Sequence, residues 1–142
     1  MTKTILIVED EEDDLFFIRD ALTKAGIDNP VQAATDGQQA IDYFKGNGKF
    51  ADREEFPLPG FVLLDLKLPY VGGLGVLKWI RQEAQLSLPV VIFTSSENEM
   101  DIKSACSLGA NAYLVKPSES EKRIEIAKAI KEFWFTHNRT PS

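Results

Sequence analysis

The sequence predicts an α/β fold in which a parallel sheet is covered by helices on both faces. Four short apolar runs, at residues 5–8, 61–64, 90–93 and 113–115, lack the alternation of polar and apolar residues expected of a strand with one wet face. A segment with helical spacing of apolar residues follows each run. Because strict alternation of strand and helix calls for right-handed crossovers, we expect a three-layer, flavodoxin-like sheet of five strands in the order 2-1-3-4-5.

The other elements follow from the same patterns. A weaker run at residues 31–34 predicts the remaining strand, and five stripes of apolar residues predict five helices. The stripes are Leu15, Ile18, Leu22 and Ala25; Ala40, Ile41 and Phe44; Leu74, Leu77 and Ile80; Met100, Ala105 and Leu108; and Ile126, Ile130, Phe133 and Trp134. The last helix is predicted to run from Glu119 to about His137. Residues 45–59 form a long polar connection that we expect to be mobile.

Length and composition limit the classes of function. The 142 residues, 44% of them hydrophobic, suffice for one domain with one packed core. A formal net charge of −6 argues against direct binding of nucleic acid. No apolar stretch approaches the roughly 20 residues that a membrane helix needs, and no signal peptide is recognisable, so we expect a soluble, cytoplasmic protein. Cys106 has no second cysteine to pair with and is expected to be a small buried residue.

Polar residues stand directly after the strongest predicted strands. Glu9 and Asp10 follow the first strand, Asp65 the third, Thr94 the fourth and Lys116 the fifth. The carboxyl ends of parallel strands meet at one edge of the sheet, where α/β proteins place their sites. We therefore expect these side chains to share one pocket although they are far apart along the chain.

Three carboxylates, one hydroxyl and one lysine indicate magnesium-dependent phosphoryl transfer onto an aspartate. Mg²⁺ prefers oxygen ligands, which Asp10 and Asp65 would supply, with Glu9 acting directly or through water. Asp65 would be the nucleophile, because a lone carboxylate between hydrophobic runs is costly without a partner. Lys116 and the Thr94 hydroxyl would each hold a phosphate oxygen.

Simpler interpretations exist for the single residues. The acidic residues 11–14 are interpreted as a helix start favoured by the helix dipole. Taken alone, Thr94 would be a structural hydroxyl and Lys116 a solvated charge. Their joint occurrence at strand ends is what favours the phosphoryl-transfer interpretation.

Four motifs in this order resemble the receiver domains of two-component response regulators. They are "ILIVED", "VLLDLKLP", "VVIFTSS" and "AYLVKP". The resemblance covers residues 1–137, and residues 138–142 are predicted to be a disordered tail.

The resemblance implies roles for individual residues. Asp65 is the phosphoacceptor, and Thr94 and Lys116 hold the phosphoryl group. Mg²⁺ is bound by Asp10 and Asp65 together with the main-chain carbonyl of Lys67, in addition to the role of Glu9 given above. Such a domain is not an enzyme acting on other substrates, because it catalyses only its own phosphorylation and dephosphorylation.

The resemblance also implies a switch. Tyr113 matches the aromatic switch residue of the family, and the bond between Lys116 and Pro117 is expected to be cis.

A narrower resemblance concerns the partners. "DDLFFIRDAL", the connection at residues 45–59 and the ending "AIKEFWF" are similar to stand-alone response regulators that partner bacterial phytochromes. It implies a sensor histidine kinase or a phosphotransfer protein as the phosphodonor and a protein as the downstream target.

The aromatic run at residues 133–135 and Tyr113 suggest a homodimer through the fourth helix, fifth strand and fifth helix. One of the three consecutive aromatic side chains is expected to meet solvent or a second subunit. Alternatively, Phe133 and Trp134 pack inward and Phe135 caps the helix end.

Three other functions fit the sequence less well. A magnesium-dependent aspartyl-phosphate phosphohydrolase places its nucleophile and a second acid two residues apart after the first strand. Here the first strand is followed by the adjacent pair Glu9 and Asp10, and Lys67 stands two after Asp65. An adaptor that is not phosphorylated would lack the acceptor or the lysine. Flavin binding is disfavoured because the loop after the first strand would present carboxylates to the cofactor phosphate.

Overall fold

The computed structural model describes residues 3–138 and contains a parallel five-stranded sheet in the order β2-β1-β3-β4-β5. The strands are β1 (Ile5–Val8), β2 (Val31–Ala34), β3 (Phe61–Leu64), β4 (Val90–Thr94) and β5 (Ala112–Val115). The predicted fold class and strand order are confirmed, including the weaker strand at residues 31–34.

One α-helix follows each strand, as predicted. The helices are α1 (Glu12–Lys24), α2 (Gly37–Lys45), α3 (Gly73–Lys78), α4 (Glu99–Ser107) and α5 (Ser120–Ile130). α3 continues in π-helical geometry over Trp79–Glu83, and α5 does so over Lys131–His137. The last helix therefore ends where the apolar spacing predicts.

Side chains of the central strands alternate between two hydrophobic clusters. Ile5 and Ile7 of β1 join the cluster that packs under α1 and α5, and Leu6 and Val8 join the one under α2, α3 and α4. Every residue of β1, β3 and β4 is buried. The predicted burial on both faces is confirmed for these three strands.

Two predictions of burial are wrong. β5 is only half-buried, and Val115 is 36% exposed, because β5 lies at the edge of the sheet and has a neighbouring strand on one side only. Cys106 is exposed, because the preceding Ala105 occupies the inward position of α4. In both cases residue type alone does not show which face or edge the residue occupies.

Residues 45–59 pack against α2 instead of forming a bare connection. Phe50 is buried, with its ring centroid 5.0 Å from that of Tyr43 and 5.2 Å from that of Phe56. The Arg53 guanidinium donates hydrogen bonds to the main-chain oxygens of Tyr43 at 2.7 Å and Phe56 at 3.0 Å. This arginine satisfies a carbonyl at the end of α2, so the connection is held as part of the fold.

The C-terminal aromatic residues lie over the amino end of β3. Trp134 and Phe135 contact Phe61, with ring centroids 5.8 and 5.1 Å apart, whereas Phe133 is 54% exposed. One of the three thus meets solvent, as expected, and the alternative that Phe133 packs inward is wrong. Trp134 and Phe135 are half-buried against β3, whereas the run was expected on the surface of the fourth helix, fifth strand and fifth helix.

Within residues 3–138, no helix combines the length and the apolar character needed to cross a bilayer. Apart from Asn138, the tail predicted at residues 138–142 lies outside the described residues.

Candidate functional site

The predicted site residues lie together at the carboxyl edge of the sheet. Main-chain hydrogen bonds continue the strand pairing into them: the Glu9 amide donates to the last residue of β2 and the Asp65 amide to the last residue of β1, both at 3.0 Å. The Lys116 amide donates to the main-chain oxygen of Thr94 at 2.7 Å. The backbone of each residue is therefore held by its neighbouring strand, as the strand-end argument predicts.

The Lys116 ammonium contacts three carboxylates of the site. Its Nζ donates to Oε1 of Glu9 at 2.5 Å, to Oδ2 of Asp65 at 2.9 Å and to Oδ2 of Asp14 at 2.9 Å. The Glu9, Asp65 and Lys116 side chains are almost completely buried, whereas that of Asp14 is 42% exposed. An ammonium has three N–H donors, so these contacts account for all of them.

Three carboxylates are close enough to share a metal ion. Glu9, Asp10 and Asp65 each offer an oxygen, and these oxygens all lie within 4.8 Å of one another. A set of hard oxygen donors with excess negative charge fits Mg²⁺ or Mn²⁺ and does not fit a soft metal. The predicted ligand role of the Lys67 carbonyl stays a prediction.

The two oxygens of the Asp65 carboxylate have different partners. Oδ1 accepts from the main-chain amide of Leu66 at 2.7 Å and, at 3.4 Å, from that of Lys67. Oδ2 accepts from Lys116. These partners offset the cost of burying the carboxylate and fix the direction in which it points.

Burial and neighbouring charges shift the pKa values of Glu9 and Lys116. Burial raises the pKa of Glu9 to about 7, the Lys116 hydrogen bond opposes this, and the charge of Asp65 adds to it. Burial alone would lower the pKa of Lys116, but its hydrogen bonds to Glu9, Asp14 and Asp65 hold the pKa above its ordinary range. The lysine is therefore a permanent cation in a pocket with more negative than positive charge.

Thr94 is hydrogen-bonded to Lys116 through the main chain, but its side chain is not one of the three partners of the Lys116 ammonium. Its side chain is fully buried, and Oγ1 accepts a long hydrogen bond of 3.5 Å from the Ser96 amide. The Tyr113 hydroxyl donates to the Ser96 carbonyl at 2.9 Å, and the Ser96 hydroxyl donates to Oδ2 of Asp101 at 2.6 Å. Hydrogen bonds through Ser96 thus connect the edge of the site with β5 and α4.

Two glycines hold the loop that follows Asp65. A Cβ at Gly73 would clash with the main chain of Asp65 and Leu66, and a Cβ at Gly37 would clash with the main chain of Val71. Only glycine permits both approaches, so the loop is clamped between α2 and α3.

Asp14 is a site residue that the sequence analysis missed. It was grouped with residues 11–14 as an acidic helix start, but its carboxylate is an ion-pair partner of Lys116. The spacing of α1 carried the signal, because Asp14 is four residues before the buried Ile18 and therefore on the inward side of the helix. Glu12 and Asp13 are exposed, in agreement with the simpler interpretation.

The peptide bond between Lys116 and Pro117 is trans, as are all bonds within residues 3–138, so the expected cis bond is a wrong prediction. Trans is the lower-energy isomer of a bond to proline. Lys116 reaches its three carboxylates from this trans backbone.

Comparison with known proteins agrees with the motifs. The family model described as "Response regulator receiver domain" matches residues 5–129. The probable methanogenesis regulatory protein FilR2 of Methanothrix harundinacea is 36% identical over 141 residues, which cover 96% of this chain and 86% of that protein. The response regulator Rcp1 of Synechocystis is 34% identical over 133 residues, which cover 93% and 88%.

Solved structures show the same similarity. The phosphorylated cyanobacterial phytochrome response regulator RcpA is 34% identical with a TM-score of 0.90, and the match covers 100% of both chains. The Mn²⁺-bound form of Rcp1 is 33% identical with a TM-score of 0.86, covering 99% of both. The narrower resemblance to phytochrome-associated regulators is confirmed as a similarity.

Three findings agree with one another: the carboxylates Glu9, Asp10 and Asp65 at the strand ends, the family match over most of the chain, and relatives above 30% identity. This chain belongs to the response regulator receiver domain family of two-component signalling.

Proposed function

We propose that Asp65 accepts a phosphoryl group, with Mg²⁺, from the phosphohistidine of a sensor histidine kinase or a phosphotransfer protein. One observation carries this proposal. The buried Asp65 carboxylate lies 2.9 Å from the Lys116 ammonium and belongs at the same time to a group of three carboxylates able to hold a divalent cation. The Asp65 side chain could therefore act as the nucleophile while it contacts both a fixed cation and a bound metal ion.

The transfer is a substitution at phosphorus. A carboxylate oxygen of Asp65 forms a bond to phosphorus as the bond from phosphorus to the donor nitrogen breaks, and that nitrogen keeps the electron pair. Mg²⁺ held by Glu9, Asp10 and Asp65 would neutralise charge on the phosphoryl oxygens. Lys116 then donates to a phosphoryl oxygen in place of Oδ2 of Asp65. The protein's part is positioning, which is the main requirement of phosphoryl transfer.

The charge of the pocket explains the switch that follows. With Glu9 ionised, the carboxylates of Glu9, Asp10 and Asp65 together with Lys116 carry two net negative charges, which one divalent cation would neutralise. A phosphoryl group adds about one to two more negative charges. The Thr94 hydroxyl then donates a hydrogen bond to the negatively charged phosphoryl group. This movement draws the loop at Ser96 inward, and the hydrogen bond from the Tyr113 hydroxyl to Ser96 breaks.

Two of the similar proteins support the chemistry. RcpA was solved in a phosphorylated form and Rcp1 in a Mn²⁺-bound form. The rival phosphohydrolase function gains no support, because Lys67, not an acid, stands two residues after Asp65.

We place the protein in the cytoplasm, signalling through protein contacts and not by direct binding of nucleic acid. The proposed output surface is that of α4, β5 and α5, where Met100 and Val115 are exposed and where Tyr113 connects to the site. The same surface is proposed to form a homodimer.

Asp65→Asn is expected to abolish phosphorylation by acetyl phosphate with Mg²⁺, measured as the gain of one phosphoryl group by intact mass. The variant should stay folded, because the site holds more negative than positive charge and loses one negative charge. Asp13→Asn, which alters an exposed carboxylate of α1, is the control and should be labelled like the wild type. Labelling that persists in Asp65→Asn would mean that another side chain is the acceptor.

Mg²⁺ is expected to raise the melting temperature by several degrees, since a ligand at 100 times its Kd stabilises the fold by about 2.7 kcal/mol. Asp10→Asn should melt higher than the wild type without metal, because one repelling charge is gone, and should respond less to Mg²⁺. Thermal melts with and without Mg²⁺ measure this. An equal response in Asp10→Asn and Asp13→Asn would contradict the proposed ligand set.

Thr94→Ala is expected to leave phosphorylation of Asp65 largely intact and to remove the coupled change at Ser96 and Tyr113. The measurement is the phosphorylation-dependent shift of the NMR signals of these two residues. Thr23→Ala, at an exposed threonine of α1, is the control. A shift in Thr94→Ala equal to that of the wild type would exclude Thr94 from the switch.

The proposed homodimer is tested by light scattering at high micromolar concentration, before and after phosphorylation. We expect a dimeric mass that Met100→Glu reduces, because the substitution puts a charge on the exposed part of α4. A monomeric mass of the wild type in both states would contradict the dimer.

A further inference from the structure

Lys116 has one partner that belongs neither to the metal group nor to the acceptor. Asp14 accepts a hydrogen bond from Nζ at 2.9 Å, yet only Glu9, Asp10 and Asp65 bring their oxygens together into the group that could hold a cation. Asp14 stands in the first turn of α1, a helix of 13 residues. Its contact is therefore independent of the ligands that a cation would engage.

The donors of the ammonium show that Asp14 need not compete with the phosphoryl group. Glu9, Asp14 and Asp65 each take one N–H of Lys116. A phosphoryl group on Asp65 replaces the bond to Asp65 and leaves two donors for the other carboxylates. The bond to Asp14 can persist through the transfer.

A bound cation makes this bond more important. A divalent ion would neutralise part of the negative charge of Glu9 and Asp65, the two buried partners of Lys116. It would thereby weaken their attraction for the ammonium, and it would also repel the ammonium directly. Asp14 lies outside the metal group and keeps its full charge for the lysine. It thus supplies an attraction that opposes the displacement of Lys116.

Among the described residues that line a small crevice beside Lys116, Asp14 is the one acid. This crevice of about 20 Å³ is lined by Asp14, Phe17, Phe93, Pro117 and Arg123. The guanidinium of Arg123 stacks on the Phe17 ring at 4.6 Å and donates to the Pro117 carbonyl. A space of this size holds about one water, so losing Asp14 would leave the ammonium facing solvent there.

We propose that Asp14 is a positioning residue that keeps Lys116 at the acceptor carboxylate while a divalent cation and then a phosphoryl group occupy the site. The proposal rests on the proposed function, since it assigns the lysine its use in phosphoryl transfer. The lysine side chain is long and flexible, and a tether on a helix limits the conformations that it must search.

The kinetic test compares initial rates of phosphorylation by acetyl phosphate with Mg²⁺. Asp14→Ala is expected to slow labelling roughly threefold to tenfold, Asp14→Glu to restore part of the rate, and Asp13→Ala to leave the rate unchanged. In a Lys116→Ala background the Asp14→Ala substitution should have no further effect. Faster labelling of Asp14→Ala, or equal slowing in both backgrounds, would overturn the proposal.

A second measurement does not depend on activity. The ammonium protons of Lys116, followed by NMR in the presence of Mg²⁺, should be protected from exchange in the wild type and in Asp13→Ala and should lose protection in Asp14→Ala. Unchanged protection in Asp14→Ala would overturn the tether. A wild type that is never labelled would instead contradict phosphorylation of Asp65, while the NMR result would still decide whether Asp14 holds Lys116.

Discussion

The interaction of one lysine with three carboxylates holds the functional edge of this protein together. Lys116 follows β5, and its partners Glu9, Asp14 and Asp65 come from the end of β1, the start of α1 and the end of β3. Two of these carboxylates are almost completely buried, which would be costly without a cation in contact. The ammonium therefore makes the burial possible, and its own position depends on the parallel sheet that brings these segments to one edge.

The same network leaves negative charge uncompensated, and this excess gives the site its chemistry. A single ammonium cannot neutralise Glu9, Asp14 and Asp65, and Asp10 adds another carboxylate at the rim. In the proposed function this excess attracts a divalent cation, and a phosphoryl group on Asp65 adds negative charge again.

A short series of hydrogen bonds connects the edge of the site with β5 and α4. Thr94 is connected to Ser96, which in turn accepts from Tyr113 on β5 and donates to Asp101 on α4. On the other side of the site, Gly73 lies so close to the main chain of Asp65 and Leu66 that a Cβ there would clash. The structure therefore combines close backbone packing at the acceptor with a loop at Ser96 that is joined to β5 and α4 by side-chain hydrogen bonds.

The sequence by itself determined the sheet, its order and the meeting of Glu9, Asp65 and Lys116, because buried parallel strands carry a local apolar signal and the residue after each strand has one possible edge. It did not determine which strand lies at the edge, as β5 shows, or which face of a helix a residue occupies, as Cys106 and Asp14 show. Those properties depend on contacts between segments far apart in the chain. A carboxylate at the start of a helix has the same local sequence whether it meets water or, like Asp14, a lysine about a hundred residues away. Only the packing of α1 against α5, which begins four residues after that lysine, decided between them.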